Sequence, residues 1–101
     1  MLVKKIYDQL ELLSRHIRVL SVVREKQPIG IGRIAQILGI GEHEVRHSLS
    51  ILEQGGFIKP TPNGAIINGN INDALLDLAE KLSDVEDITK LIRKEVLELV
   101  V

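Results

Sequence analysis

The chain contains no cysteine and only two aromatic side chains, Tyr7 and Phe57, among 101 residues. Without cysteine, disulfides, thiol nucleophiles and cysteine-ligated zinc are excluded, and a reducing cytoplasm is the expected location. So few rings argue against a surface that stacks single-stranded bases. No apolar run reaches about 18 residues, so no membrane span is expected. The residues after Met1 also lack the order of a signal peptide.

The chain has no large excess of positive or negative residues, since its net charge is −1. This excludes a polybasic tail or a histone-like DNA coat. The charge is unevenly spread, however: residues 1–60 carry +3 and residues 61–101 carry −4. The front of the chain is therefore the part expected to meet an anion. The length allows one domain with a helical extension.

The first 38 residues predict two helices. Residues 2–24 hold no glycine or proline. Their apolar residues alternate spacings of three and four: Val3, Ile6, Leu10, Leu13, Ile17 and Leu20. This stripe predicts a helix that ends near 24–26, because Pro28 cannot continue it. A second helix is expected over 31–38, with Ile34, Ile37 and Leu38 on one face.

Glycine pairs delimit a third helix over 42–54. Gly39 and Gly41 precede it, and Gly55-Gly56 ends it. Val45, Leu49 and Leu52 form its apolar side. A short strand over 57–59, a turn over 60–64 containing Asn63-Gly64, and a returning strand over 65–68 follow.

The tail carries an apolar seam of about four heptads. Its members are Ile71, Leu75, Leu78, Leu82, Val85, Ile92, Val96 and Leu99, interrupted only by Thr89. The unbroken spacing favours one helix, whereas Ser83 and Glu86 have the spacing of a capping box that would begin a new one. We expect two helices, or one helix with a bend near residue 83.

The order of elements over 15–68 resembles a winged helix-turn-helix domain. The residues that carry the resemblance are 34–41 (IAQILGIG), 45–58 (VRHSLSILEQGGFI) and Asn63-Gly64-Ala65. It implies a mainly α fold, a three-helix core plus a two-stranded wing over residues 1–70, followed by a helical dimerisation segment over 71–101. By resemblance the chain is a small bacterial or archaeal transcription regulator, and small archaeal regulators match best in size.

The resemblance implies that double-stranded DNA is the partner. Helix 42–54 would enter the major groove, and wing 57–68 would contact the backbone or minor groove. The expected DNA-contacting residues are Arg33, His43, Arg46, His47, Ser50, Lys59, Thr61 and Asn63. Glu42 and Glu44 depart from this pattern, because carboxylates beside phosphates weaken binding. They leave open a winged-helix module that binds a protein and not DNA.

Residues 43–47 spell the zinc-protease pattern H-E-x-x-H. Arg46 would place a cation beside the metal, and neither His16 nor Glu53 is marked as a third ligand. Since Val45 is needed as a core anchor, both histidines are expected to point outward. A regulatory metal on His43 and His47 remains the alternative. We expect no catalytic residue, no cofactor and no metal, and His16 is expected at the surface or in an interface.

The two ends of the chain carry more apolar residues than a winged core can cover. We therefore expect a homodimer. The expected interface residues are Val3, Ile6, Leu10, Leu75, Leu78, Leu82, Val85, Ile92, Val96 and Leu99. Pairing of the first helix with the tail inside one subunit is the alternative. No effector is identified.

Overall fold

The computed structural model describes residues 1–101 as four helices and two strands. The elements are α1 (Lys4–Lys26), α2 (Ile31–Leu38), α3 (Glu42–Gln54), β1 (Ile58–Thr61), β2 (Gly64–Ile67) and α4 (Asn72–Glu98). They form two compact units, Met1–Gly69 and Asn70–Val101. The first unit is a winged-helix-like fold: three helices followed by a two-stranded antiparallel sheet.

The turn between α2 and α3 depends on Gly39. Its backbone is left-handed (φ +66°), and its N–H donates to the carbonyl of Ala35 at 2.8 Å. A glycine takes this conformation without a steric penalty. The helix therefore ends after Leu38 and the chain can turn into α3. The bounds of α2 and α3 are those predicted.

The wing is tighter than predicted. Thr61 pairs with Gly64 and Ile58 with Ile67, so only Pro62 and Asn63 form the turn. The predicted turn over 60–64 is therefore too long. Pro60 lies inside β1. A proline has no N–H to donate to a neighbouring strand, but β1 is an edge strand with only one neighbour, so the missing donor is tolerated there. Among these residues only Gly64 has a positive φ (+125°).

The core of the first unit lies where α1, α2, α3 and the wing meet. Its buried apolar residues are Val19, Leu20, Val22, Val23, Ile29, Ile34, Ala35, Val45, Leu52, Ile58 and Ala65. Leu20, Ile34, Val45 and Leu52 were expected there. The heptad stripe of α1 did not predict Val19, Val22 and Val23, because only the last part of α1 packs in this core.

Several other apolar residues of the first unit lie nearer the surface. Ile17, Leu38, Leu49, Phe57 and Ile66 are half-buried, and Ile37 is 45% exposed. Ile37 does not share the burial of Ile34, because Ile34 and Ala35 form the buried face of α2. Ile29 enters instead, through a bridge to Ala65 in which each N–H donates to the other's carbonyl.

The tail is one continuous helix, so the expected break near residue 83 was wrong. Ser83 Oγ donates to the carbonyl of Ala79 at 3.3 Å and does not cap a new helix. No glycine or proline occurs between 72 and 98. None of the residues of α4 is buried. None of the helices combines the length and apolarity needed to cross a membrane.

Candidate nucleic-acid interface

Helix α3 packs on the first unit by one side only. Val45, Ser48 and Leu52 are buried, at the spacing of one helical face. The remaining side is exposed and carries His43, Arg46, His47 and Ser50. The residues of this helix that were predicted to contact DNA therefore lie together on its free side, and Arg46 contributes a guanidinium group there.

Glu44 does not belong to this free side. Its carboxylate accepts a hydrogen bond from the N–H of Gly41 at 3.3 Å and lies 3.7 Å from the guanidinium of Arg15. This is half of a capping box at the start of α3, where a negative charge is also favoured by the helix dipole. Glu44 is half-buried and paired, so of the two carboxylates expected to repel phosphate only Glu42 is exposed and without an ion-pair partner.

A buried polar cluster joins α1 to α3 behind that free side. Arg15 Nε donates to Ser48 Oγ at 2.9 Å, and Ser48 Oγ lies 2.7 Å from Nδ1 of His16. The hydroxyl accepts from Arg15, and it donates to His16 Nδ1 or accepts from it according to the tautomer of the ring. His16 is only 6% exposed, so its expected place at the surface was wrong.

The surroundings of His16 favour its neutral form. Burial lowers its pKa below the ordinary value of 6.5, and the neighbouring charges of Arg15 and His47 lower it further. The His47 ring lies 5.6 Å from the His16 ring, centroid to centroid. The free side of α3 therefore lies directly beside a buried titratable group. Arg15 and Ser48 are 33 positions apart, so no local pattern could have predicted this cluster.

The two histidines of the H-E-x-x-H pattern have separate neighbours. The His43 ring lies against Gly41, where a Cβ would meet it at 2.9 Å. His47 is tilted toward His16. No group of three or more histidine, aspartate or glutamate side chains is arranged to hold a metal ion. Glu53, considered above as a further ligand, lies instead near the wing.

The remaining predicted contacts lie on α2 and the wing. Arg33 is exposed in the first turn of α2, where free backbone N–H groups favour an anion. Lys59 and Asn63 are exposed on the wing. Thr61 is half-buried, and its hydroxyl donates to the carbonyl of Gly64 at 2.6 Å while accepting from the N–H of Asn63. That hydroxyl holds the turn together.

A groove of about 450 Å³ lies between the wing and α3. Ile29, Leu49 and Ile58 contribute apolar walls, and Glu53 is its only charged side chain. A carboxylate in an apolar groove does not attract phosphate, so the groove is not a candidate for the DNA backbone. The sequence did not predict this groove, because it depends on the bridge between Ile29 and Ala65.

Three helices with a following hairpin define the first unit as a winged-helix-like module. A solved structure with a similar fold is the activation domain of the phage T4 transcription factor MotA. It has a TM-score of 0.51 and 21% sequence identity, over 73% of this chain and 78% of the MotA domain. At this identity the likeness concerns the fold.

The chain belongs to the family described as "Bacterial protein of unknown function (DUF977)", whose profile matches residues 4–98. The match includes both units. The description names bacteria, and nothing in it supports the archaeal source expected from size. The comparison with curated proteins gives no match.

Proposed function

We propose that the chain is a DNA-binding transcription regulator that acts as a homodimer and has no catalytic role. Helix α3 enters the major groove of a specific site, and the wing lies along the backbone or in the minor groove. The observation that carries this proposal is the one-sided burial of α3, which leaves Arg46, His47 and Ser50 free. The fold likeness to a domain of a phage transcription factor supports a role in transcription.

The charges of the first unit suit a polyanion better than the overall composition suggests. Arg33, Arg46 and Lys59 are exposed and form no ion pair within the chain, whereas Glu44 is paired with Arg15. With one or two cations of α1, this gives about four phosphate contacts per subunit. One subunit then binds weakly, and two joined subunits gain affinity because the second binds from a high effective concentration.

Unpartnered apolar surface supports the homodimer. Within α4, Leu82 and Val85 are each 38% exposed, while Ile92, Val96 and the following Leu99 are more exposed. Ile6 and Leu10 of α1 are exposed too, as is Val3 just before that helix. Leu75 and Leu78 are half-buried. Covering each of the exposed side chains in a second subunit contributes up to about 1.5–3 kcal/mol, before the cost of association.

Fluorescence anisotropy with a mixed pool of labelled duplexes tests the proposal. We expect binding at about 20 mM salt that weakens steeply as salt rises, because bound cations displace counterions. Arg46→Ala should weaken binding by about tenfold or more, as loss of a base-reading or phosphate-contacting arginine does. Arg93→Ala removes an exposed arginine of α4, outside the unit proposed to meet DNA, and serves as the matched control. No binding at low salt, or equal losses in the two variants, would contradict the proposal.

Binding of a protein to the same surface is the second candidate. Glu42 and Glu53 are exposed on α3, and the large apolar side chains Ile37 and Ile51 are 45% and 40% exposed. A surface with exposed apolar side chains and carboxylates suits a protein partner better than it suits a phosphate backbone. A stoichiometric complex that is disrupted by Ile51→Asp but not by Arg46→Ala would favour this function.

A further inference from the structure

Charge is segregated along α4. Residues 72–87 contain six acidic residues and one lysine, whereas residues 88–98 contain three basic and two acidic residues. Two ion pairs form within the helix, Asp77 with Lys81 and Glu86 with Lys90. Arg93 and Lys94 have no carboxylate partner in the chain, Asp73 and Glu80 have no basic partner, and Glu95 and Glu98 are also unpaired. The first half of the helix is therefore strongly acidic, with net charge −5, and the second half is weakly basic, with net charge +1.

The polar residue of the seam is satisfied within its own helix. Thr89 Oγ1 donates to the carbonyl of Glu86 at 2.8 Å. It therefore does not require a matching threonine on a partner, which a buried polar residue in the same layer of two parallel helices would provide. Its methyl group can pack against an aliphatic side chain.

We propose that α4 pairs with α4 of a second copy in the antiparallel orientation. This inference rests on the homodimer proposed above and specifies how it is built. Parallel pairing would place two strongly acidic halves side by side, at a cost in repulsion. Antiparallel pairing places the acidic half of each copy along the basic half of the other.

The apolar seam accommodates this orientation. The seam alternates between two kinds of position. In an antiparallel pair, a residue at the first kind of position packs against a residue at the second kind on the partner helix. Leu82 then packs against Val85 of the second copy, Leu75 against Ile92, and Leu78 against Thr89. The same register places Lys90 level with Asp77 and Lys94 level with Asp73, on the outer sides of the two helices. The charges of the two halves therefore interact along the length of the pair and not as direct ion pairs across the seam.

Distances between spin labels test the orientation directly. The chain has no cysteine, so single-cysteine variants label at one place only. Asn72→Cys and Val100→Cys place neutral, exposed labels at the two ends of α4. In the antiparallel dimer, labels on residue 72 of both copies are about 35–45 Å apart, from 1.5 Å per residue. An equimolar mixture of the two labelled variants should add a distance below about 20 Å.

A charge-reversal rescue provides the matched functional control. Lys90→Glu with Lys94→Glu should raise the dimer dissociation constant by about fivefold to tenfold at low salt. Adding Asp73→Lys and Asp77→Lys to that chain should lower the dissociation constant again, because in the antiparallel pair the two altered halves lie side by side. Far-ultraviolet circular dichroism checks that α4 remains helical in every variant.

The outcomes separate this inference from the function it rests on. A dimer with a short distance between the two labels on residue 72, or without rescue, overturns the antiparallel arrangement and leaves a DNA-binding homodimer intact. A monomer by light scattering overturns both the arrangement and the dimer. Long distances on residue 72, short distances in the mixture, and rescue together support it.

Discussion

At the scale of single residues, Ser48 is the side chain on which the position of α3 depends most. It is fully buried, and its hydroxyl contacts both Arg15 and His16 of α1. A buried hydroxyl that bonds to two groups fixes both of them, because each loses this partner if the hydroxyl is removed. The free side of α3 is thereby held in register with α1.

Replacing this hydroxyl should be costly. We expect Ser48→Ala to lower the free energy of unfolding by about 1–3 kcal/mol, because His16 Nδ1 is left unpaired in a buried site. Urea denaturation followed by circular dichroism measures the loss. Ser50→Ala, on the exposed side of the same helix, should change stability by less than about 0.5 kcal/mol. Equal effects of the two substitutions would show that the cluster contributes nothing.

His16 should make stability depend on pH. Its pKa is lowered in the folded protein, so near pH 6.5 the unfolded chain binds more protons than the folded one. Stability is therefore full above this pH and decreases as the pH falls through 6.5 toward the lowered folded value. His16→Gln should remove this part of the pH dependence, whereas His43→Gln should retain it. Denaturation midpoints at a series of pH values measure both, and identical profiles for the two variants would refute the role of His16.

At the scale of elements, local signals predicted what local interactions determine. The stop signals Gly39 and Gly55-Gly56 and the period of Val45, Leu49 and Leu52 predicted the bounds of α2 and α3 correctly. The wing was predicted in kind, but Pro60 and Thr61 were wrongly assigned to the turn. In α4 a capping-box spacing was given too much weight, because Ser83 bonds within the helix.

Long-range contacts could not be predicted in this way. The burial of His16 depends on Ser48, 32 positions away, and that of Ile29 depends on its bridge to Ala65. The candidate site was therefore predicted on its exposed side, in Arg46, His47 and Ser50, and missed behind it, in Arg15 and His16. The pairing of Glu44 with Arg15 was missed for the same reason, because no local sequence pattern connects two residues so far apart.

The wing depends on the absence of a side chain at Gly64. A Cβ there would lie 2.5 Å from the carbonyl carbon of Ile29, and φ is +125°. Gly64→Ala should therefore lower stability by about 1–3 kcal/mol, through strain and displacement of the wing. Gly32→Ala, in exposed helix beside the flexible Glu42 side chain, should raise stability by about 0.5–1 kcal/mol. Thermal unfolding of both variants checks the opposite signs, and a neutral Gly64→Ala would contradict the account of the wing.

At the scale of the whole molecule, two units divide the charge between them. The winged unit carries the exposed cations of the proposed reading surface, and α4 carries the acidic excess with an apolar seam. Under the proposed function, this division lets a chain with net charge −1 bind DNA: one unit would meet the polyanion, and the other would meet a second copy. The weak binding expected of a single winged unit would make the second copy necessary.

The most direct test of the central claim is a titration of the isotopically labelled protein with duplex DNA, followed by nuclear magnetic resonance. The account predicts that the largest amide shifts occur at His43, Arg46, His47 and Ser50 and over wing residues 59–63. They should disappear as salt is raised. Shifts confined to α4, or none on the exposed side of α3 at low salt, would contradict it.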